Sequence, residues 1–309
     1  MYITALQPVV EFKCYKRSLH LTLGITQCVM DYIIYCWICK QNTVNRKIVF
    51  FVNIWLPRWG IFCYFCGMES QFVHLRTHSR FSVGNGTLTL KAIPALCAAA
   101  GMGACALTDT NLMSGAAEFS DVMPKNKLQP IIGIEISLNH HTADPKILRM
   151  ESLSRLVLLA QNHDGYLNLC ELSRIMYMRG DNHHLGPYVS WDELAAHSAG
   201  LICLSGAHIG PIGMALLNNQ EAAANDYATH LHKIFGDRFY IEIQRHGLEN
   251  DIKTEPGFLK IAQELNIPIV ATNDVCFAAD TDYEAADALS CVLGQTKVID
   301  PARARKSSE

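Results

Sequence analysis

Six residues of this chain carry side chains of the kind that hold divalent metal ions: His74, His78, Asp109, Glu135, His246 and Asp274. Imidazole and carboxylate donors suit zinc or manganese. Ions clustered by such groups activate water and clamp a phosphate oxygen, which is the chemistry of phosphoester hydrolysis. Other polar residues accompany them in sequence, among them Arg76, Ser205, His208, Glu242 and Gln244. Taken singly, a His or Asp in such a place reads equally well as a helix cap or a partner for loop backbone. The set is distinguished by its position relative to the elements that carry it.

Seven short apolar runs, Phe72–Arg76, Ala104–Thr108, Ile131–Ile136, Leu156–Ala160, Leu201–Leu204, Phe239–Ile243 and Ile267–Thr272, read as strands buried on both faces, as in a parallel sheet. Helical patterns separate them. Ala224, Tyr227, Leu231 and Ile234 mark one face of Glu221–Phe235, and Phe258, Ile261, Ala262 and Leu265 one face of Glu255–Asn266. Gly101 and Gly236 punctuate helix ends. Ser190 is placed to cap a helix opening at Trp191, with Glu193 completing a capping box. Strands alternating with helices predict an α/β barrel or an open sheet. Ionisable or ligand-type residues fall at the carboxyl ends of nearly every run. In a barrel those ends share one mouth, whereas an open sheet spreads them along an edge, so the pattern favours a TIM-like barrel.

With half of its 309 residues apolar, the chain is neither collagenous nor wholly disordered, and a net charge of −3 gives no overall footprint for nucleic acid. Residues 1–67 form a different kind of text: basic, hydrophobic and rich in Cys and Trp. Cys36-x-x-Cys39 and Cys63-x-x-Cys66 have the spacing of a four-cysteine zinc site, but bulky aromatics crowd the segment between them and favour incidental cysteines. The apolar stretches Leu21–Cys39 and Ile48–Cys66 are broken by Asp31, Asn53, Pro57 and Arg58, so no membrane anchor is expected. The change of composition at Met68 also admits a native start there. Single cysteines scattered through the remainder read as reduced, packed thiols of a cytoplasmic protein. His140-His141 and His183-His184 read as solvated loop residues.

The segments Met68-Glu-Ser-Gln-Phe-Val-His-Leu-Arg-Thr-His-Ser79, Ala106-Leu-Thr-Asp-Thr-Asn111, Pro130-Ile-Ile-Gly-Ile-Glu135, Leu156–Leu169, Phe239–Leu248 and Ala271-Thr-Asn-Asp274 together resemble the PHP (polymerase and histidinol phosphatase) domain that opens the alpha subunit of bacterial DNA polymerase III. The likeness runs from about Met68 to Lys306. It implies a distorted seven-stranded βα barrel over residues 68–290, with 291–309 beginning a connection to a polymerase palm that this chain does not contain. It also implies a place in DNA replication, with the proofreading exonuclease subunit and other replicase subunits as partners, and contact with DNA only through the complete polymerase. Competent members of the family begin His-x-His, follow the Thr-Asp of the second motif with His, and end Asp-x-His; here those positions hold Arg76, Thr110 and Cys276. Arginine cannot ligate a metal and repels one. The six candidate ligands therefore read as a vestigial zinc or manganese site with no catalytic residue, and the domain as a scaffold for subunit docking. The alternative is a free-standing metal-dependent phosphoesterase or 3'-5' exonuclease. Arg76 is expected to stand in for the metal by pairing with Asp109, Glu135 or Asp274.

Overall fold

Runs of apolar residues bounded by glycine and polar turns assemble here into one curled seven-stranded sheet wrapped by helices. The computed structural model describes residues 72–140, 153–179, 186–294 and 296–300. Residues 1–67 with their cysteine pairs, and His141, His183 and His184, lie outside the described residues. In chain order the elements are α1 (Ile93–Ala99), β1 (Ala104–Leu107), α2 (Ala116–Lys125), β2 (Gln129–Asn139), β3 (Ser154–Ala160), α3 (His163–Met178), β4 (Val189–Ser190), α4 (Trp191–Ala196), β5 (Leu201–Leu204), α5 (Pro211–Leu217), α6 (Glu221–Phe235), β6 (Phe239–Ile243), α7 (Glu249–Glu264), β7 (Ile269–Ala271) and α8 (Tyr283–Gly294). The strands lie in the order β1-β2-β3-β5-β6-β7, and the short β4 pairs with the far end of β2.

Two departures from the sequence expectation shape the site. The first apolar run, Phe72–Arg76, is not a regular strand, and its pairing falls slightly later in the chain. The carbonyls of His74 and Thr77 accept from the N–H groups of Ala106 and Thr108 at 2.8 and 2.9 Å. On the other side Thr77 bridges Val275 in parallel; His78 N–H donates to the Val275 carbonyl at 2.8 Å and Val275 N–H to that of Arg76 at 3.3 Å. The segment therefore lies between β1 and the chain just beyond β7, and closes the ring. The second departure is direction. β1–β2, β5–β6 and β6–β7 pair in parallel, but β3 runs antiparallel to both β2 and β5. Its amino end consequently joins the carboxyl ends of the others. A strand buried on both faces carries no periodicity that discloses its direction.

The period-two alternation of strands divides the interior. Ile134 and Ile136 of β2, Leu156 and Leu158 of β3 and Ile241 of β6 pack outward against Ala224, Leu231 and Phe235 of α6 and Phe258 and Ile261 of α7. Their neighbours Val157, Leu159, Leu204 and Val270 pack inward with Leu75. Burial of each large apolar side chain contributes about 1.5–3 kcal/mol. Glu135 and Glu242, which alternate with outward-packed isoleucines, are thereby turned inside the ring. Gly133 is required where β2 meets β3, since a Cβ there would lie 2.6 Å from the Leu158 carbonyl oxygen.

Helix α6 has the expected bounds, whereas α7 begins six residues before the apolar pattern does. Pro256, a residue suited to a helix's first turn, lies inside it. His140 departs from the solvated-loop reading: it is only 7 % exposed and meets Tyr227 edge to face at 5.4 Å. Both bonds of the Ser190–Glu193 capping box are present at the start of α4. Ser190→Ala is expected to cost about 1 kcal/mol, and Ser190→Asp almost nothing; thermal melts of the two variants check this.

Candidate functional site

Arg76 occupies the centre of the mouth formed by the strands' carboxyl ends. It is 1 % exposed and faces three carboxylates, each brought by a different part of the ring. Its Nη2 donates to Glu135 Oε2 at 2.5 Å, Nη1 lies 3.5 Å from Glu242 Oε1, and Nε lies 3.4 Å from Asp274 Oδ1. Glu242 Oε1 also accepts from Gln244 Nε2 and from the Thr272 hydroxyl. Burial alone would discourage the charge on Arg76; Asp274, Glu135 and Glu242 outweigh it and raise its pKa.

His78 supplies a second cation. Nε2 lies 2.9 Å from Asp274 Oδ1 and 3.5 Å from Glu135 Oε2, while Nδ1 lies 3.1 Å from the Ser82 hydroxyl. Burial opposes its protonation, but Asp274 and Glu135 overcome that and lift the pKa to about 10. Arg155 supplies a third. It stands at the amino end of β3, which the reversed direction delivers to the mouth, and its Nη1 donates to Glu135 Oε1 at 2.5 Å. Burial pushes the Glu135 carboxyl up; Arg76, Arg155 and His78 together hold it well below the usual carboxylate range. Three formal cations thus face three formal anions.

Among the six candidate ligands, His78, Glu135 and Asp274 come together, with donor atoms within 4.8 Å of one another. His246 borders them: its Nε2 accepts from the Asp274 N–H at 3.3 Å, and its backbone N–H donates to Asp251. Burial lowers the pKa of His246. Asp109 is engaged elsewhere, accepting from Ser79 N–H, the Ser79 hydroxyl and the Ser82 hydroxyl at 2.6–2.8 Å. Its side chain reaches the cluster through Ser82, and its backbone carbonyl accepts from the Glu135 N–H at 3.2 Å; Arg76 pairs with two of the three acids expected for it and with Glu242 in place of Asp109. His74 packs edge to face on Phe72, and burial drops its pKa to about 4. Thr110 donates its hydroxyl to Glu135 Oε1 at 3.2 Å, and Cys276 packs with Phe277 and Ala286.

This arrangement does not fit a metal cluster. A divalent ion among His78, Glu135 and Asp274 would have to share both carboxylates with a guanidinium that contacts each of them. His78 would also have to give up a proton that Asp274 and Glu135 favour. Besides Arg76, two members of the cluster lay outside the six candidates. Glu242 was visible in sequence as an acid at a strand's end; Arg155 stands at a strand's beginning, and only the direction of β3 brings it to the mouth.

A barrel with these ligand positions at its mouth is what the PHP domain describes. The model of that family matches residues 74–246, and the chain belongs to it. Over this region it is similar to the "DNA polymerase III subunit alpha" of Caulobacter vibrioides, at 41 % identity over 239 residues, covering 77 % of this chain and 21 % of that protein. The protein of the same description from Rickettsia bellii is 37 % identical over 231 residues, covering 74 % and 19 %. The chain therefore spans about a fifth of the length of the curated relatives it matches. A solved amidohydrolase structure from Chromobacterium violaceum is similar with a TM-score of 0.40 at 17 % identity, covering 66 % of this chain and 87 % of that one. Among the described residues no helix is long and apolar enough to cross a membrane.

Proposed function

We propose that this chain is the PHP-domain portion of a cytoplasmic bacterial DNA polymerase III alpha subunit, and that it acts there as a scaffold and docking body rather than as a phosphoesterase. In this reading His74, His78, Asp109, Glu135, His246 and Asp274 are the remains of a metal site. Nucleotide transfer and contact with DNA belong to the rest of the polymerase, and the proofreading exonuclease subunit and other replicase subunits are the partners. The observation that carries the reading is the guanidinium of Arg76 buried against Glu135, Glu242 and Asp274. A fixed positive charge there does a metal's work of holding carboxylates together without activating water.

The test is an assay of the full chain against p-nitrophenyl phosphate and a 3'-recessed oligonucleotide with manganese or zinc. No metal-stimulated turnover is expected, and a complex with the proofreading exonuclease subunit should survive EDTA. Stimulated turnover that Asp109→Asn abolishes would instead establish the metal-dependent phosphoesterase.

A further inference from the structure

At the opposite end of the barrel from Arg76, the described residues leave part of the interior open. The residues Gln129–Ile132 of β2 extend beyond the last pair that strand makes with β3, Gly133 with Leu159. Between that overhang and the turn from β3 into α3 lies a cavity of about 440 Å³. It reaches inward to Leu75, Leu204 and Val270, and its rim carries Ala117, Ala160 and Tyr166. Barrels of this size ordinarily close this end with layers of side chains. Here the described residues leave space below Ile131, Ile202 and Tyr240, with alanines at its rim.

We infer that this cavity is a binding site for a small, uncharged, mainly apolar molecule, separate from the charged mouth. Three features define the class of ligand. No Asp, Glu, Lys, Arg or His stands among the described residues that line the cavity, so a charged group would be desolvated there without a counter-charge. The deep wall is aliphatic, and Gln161, Tyr166 and Tyr240 add amide and phenol groups able to orient one hydrogen-bonding end. The volume sets the size. A cavity of roughly 150 Å³ lined by Leu, Ile and Phe takes benzene; one about three times larger suits a molecule of two or three fused or linked rings.

The probe is N-phenyl-1-naphthylamine, neutral and bicyclic with a pendant ring, titrated into the full chain and followed by its fluorescence. Saturable binding at one equivalent is expected. Ala160→Phe, at the rim of the cavity, should weaken it at least tenfold. Ala117→Leu narrows the cavity from a solvent-exposed position on α2, where a larger side chain leaves folding intact, and should weaken binding in the same direction. Melting curves of both variants confirm that they are folded. Met178→Ser, on the exposed apolar end of α3, should leave binding unchanged. Absence of saturable binding overturns the inference. So does binding that persists in Ala117→Leu but falls in Met178→Ser, which would locate the dye on the surface of α3.

Discussion

Arg76→Met should lower the melting temperature by about 6–20 °C at neutral pH. Removing one partner of a buried ion cluster costs roughly 3–5 kcal/mol, because the charges left behind have neither water nor a counter-ion. In a domain of this size each kcal/mol corresponds to about 2–4 °C. Glu135 would retain Arg155 and His78, but Glu242 would keep, among the described residues, just the amide of Gln244 and the hydroxyl of Thr272. Arg76→Lys should fall between, since an ammonium keeps the charge but cannot reach three carboxylates from one planar fork. Calorimetry of the three proteins measures the effect; an unchanged melt in Arg76→Met would remove Arg76 from its assigned role. The intact cluster need not be more stabilising than an apolar core of the same volume, because desolvation of its members offsets much of their attraction. What the arginine supplies is a fixed geometry at the mouth.

The second large effect is a loss of stability at alkaline pH. His78 titrates near 6.5 when unfolded and at about 10 in the folded chain. The folded state therefore holds a proton that the unfolded state has released. The resulting stabilisation is complete below about pH 6.5 and disappears as pH rises through 10. His74 has the opposite sign. Its folded pKa of about 4 means that the unfolded chain takes up a proton first as pH falls below 6.5, and stability declines on that side. The pH–stability curve should therefore peak near neutrality, with two separable limbs. Denaturant titrations from pH 4 to pH 10 should show the alkaline limb flattened in His78→Gln and the acid limb flattened in His74→Gln. An alkaline limb unaltered by His78→Gln would contradict the assigned proton.

The parts of this architecture that were legible in sequence are those where one local pattern decides the outcome. Amphipathic spacing delimited α6, and Ser190 with Glu193 announced the start of α4. The start of α7 was hidden because its first turns present mostly polar residues and Pro256 imitates a helix beginning. In the site, residue type identified Glu135 and Asp274 as neighbours of Arg76, since a buried guanidinium needs carboxylates. Type alone could not separate Asp109 from them. Its aspartate looks the same in sequence, and only the serines at 79 and 82 draw it aside. Arg155 depended on a strand direction that apolar runs do not encode.

The bridge that closes the ring joins residues about 200 positions apart, Thr77 near the beginning of the domain and Val275 near its end. At a synthesis rate of roughly 5–20 residues per second, Val275 leaves the ribosome some 10–40 s after Thr77. Through that interval His74–Ser79 has Leu88 and β1 to pair with but not Val275, and Arg76 has Glu135 and later Glu242 but not Asp274. Nascent chains arrested before Asp274 are thus bound to present an unclasped cylinder with a buried-type arginine still exposed, the form in which a chaperone would meet this protein.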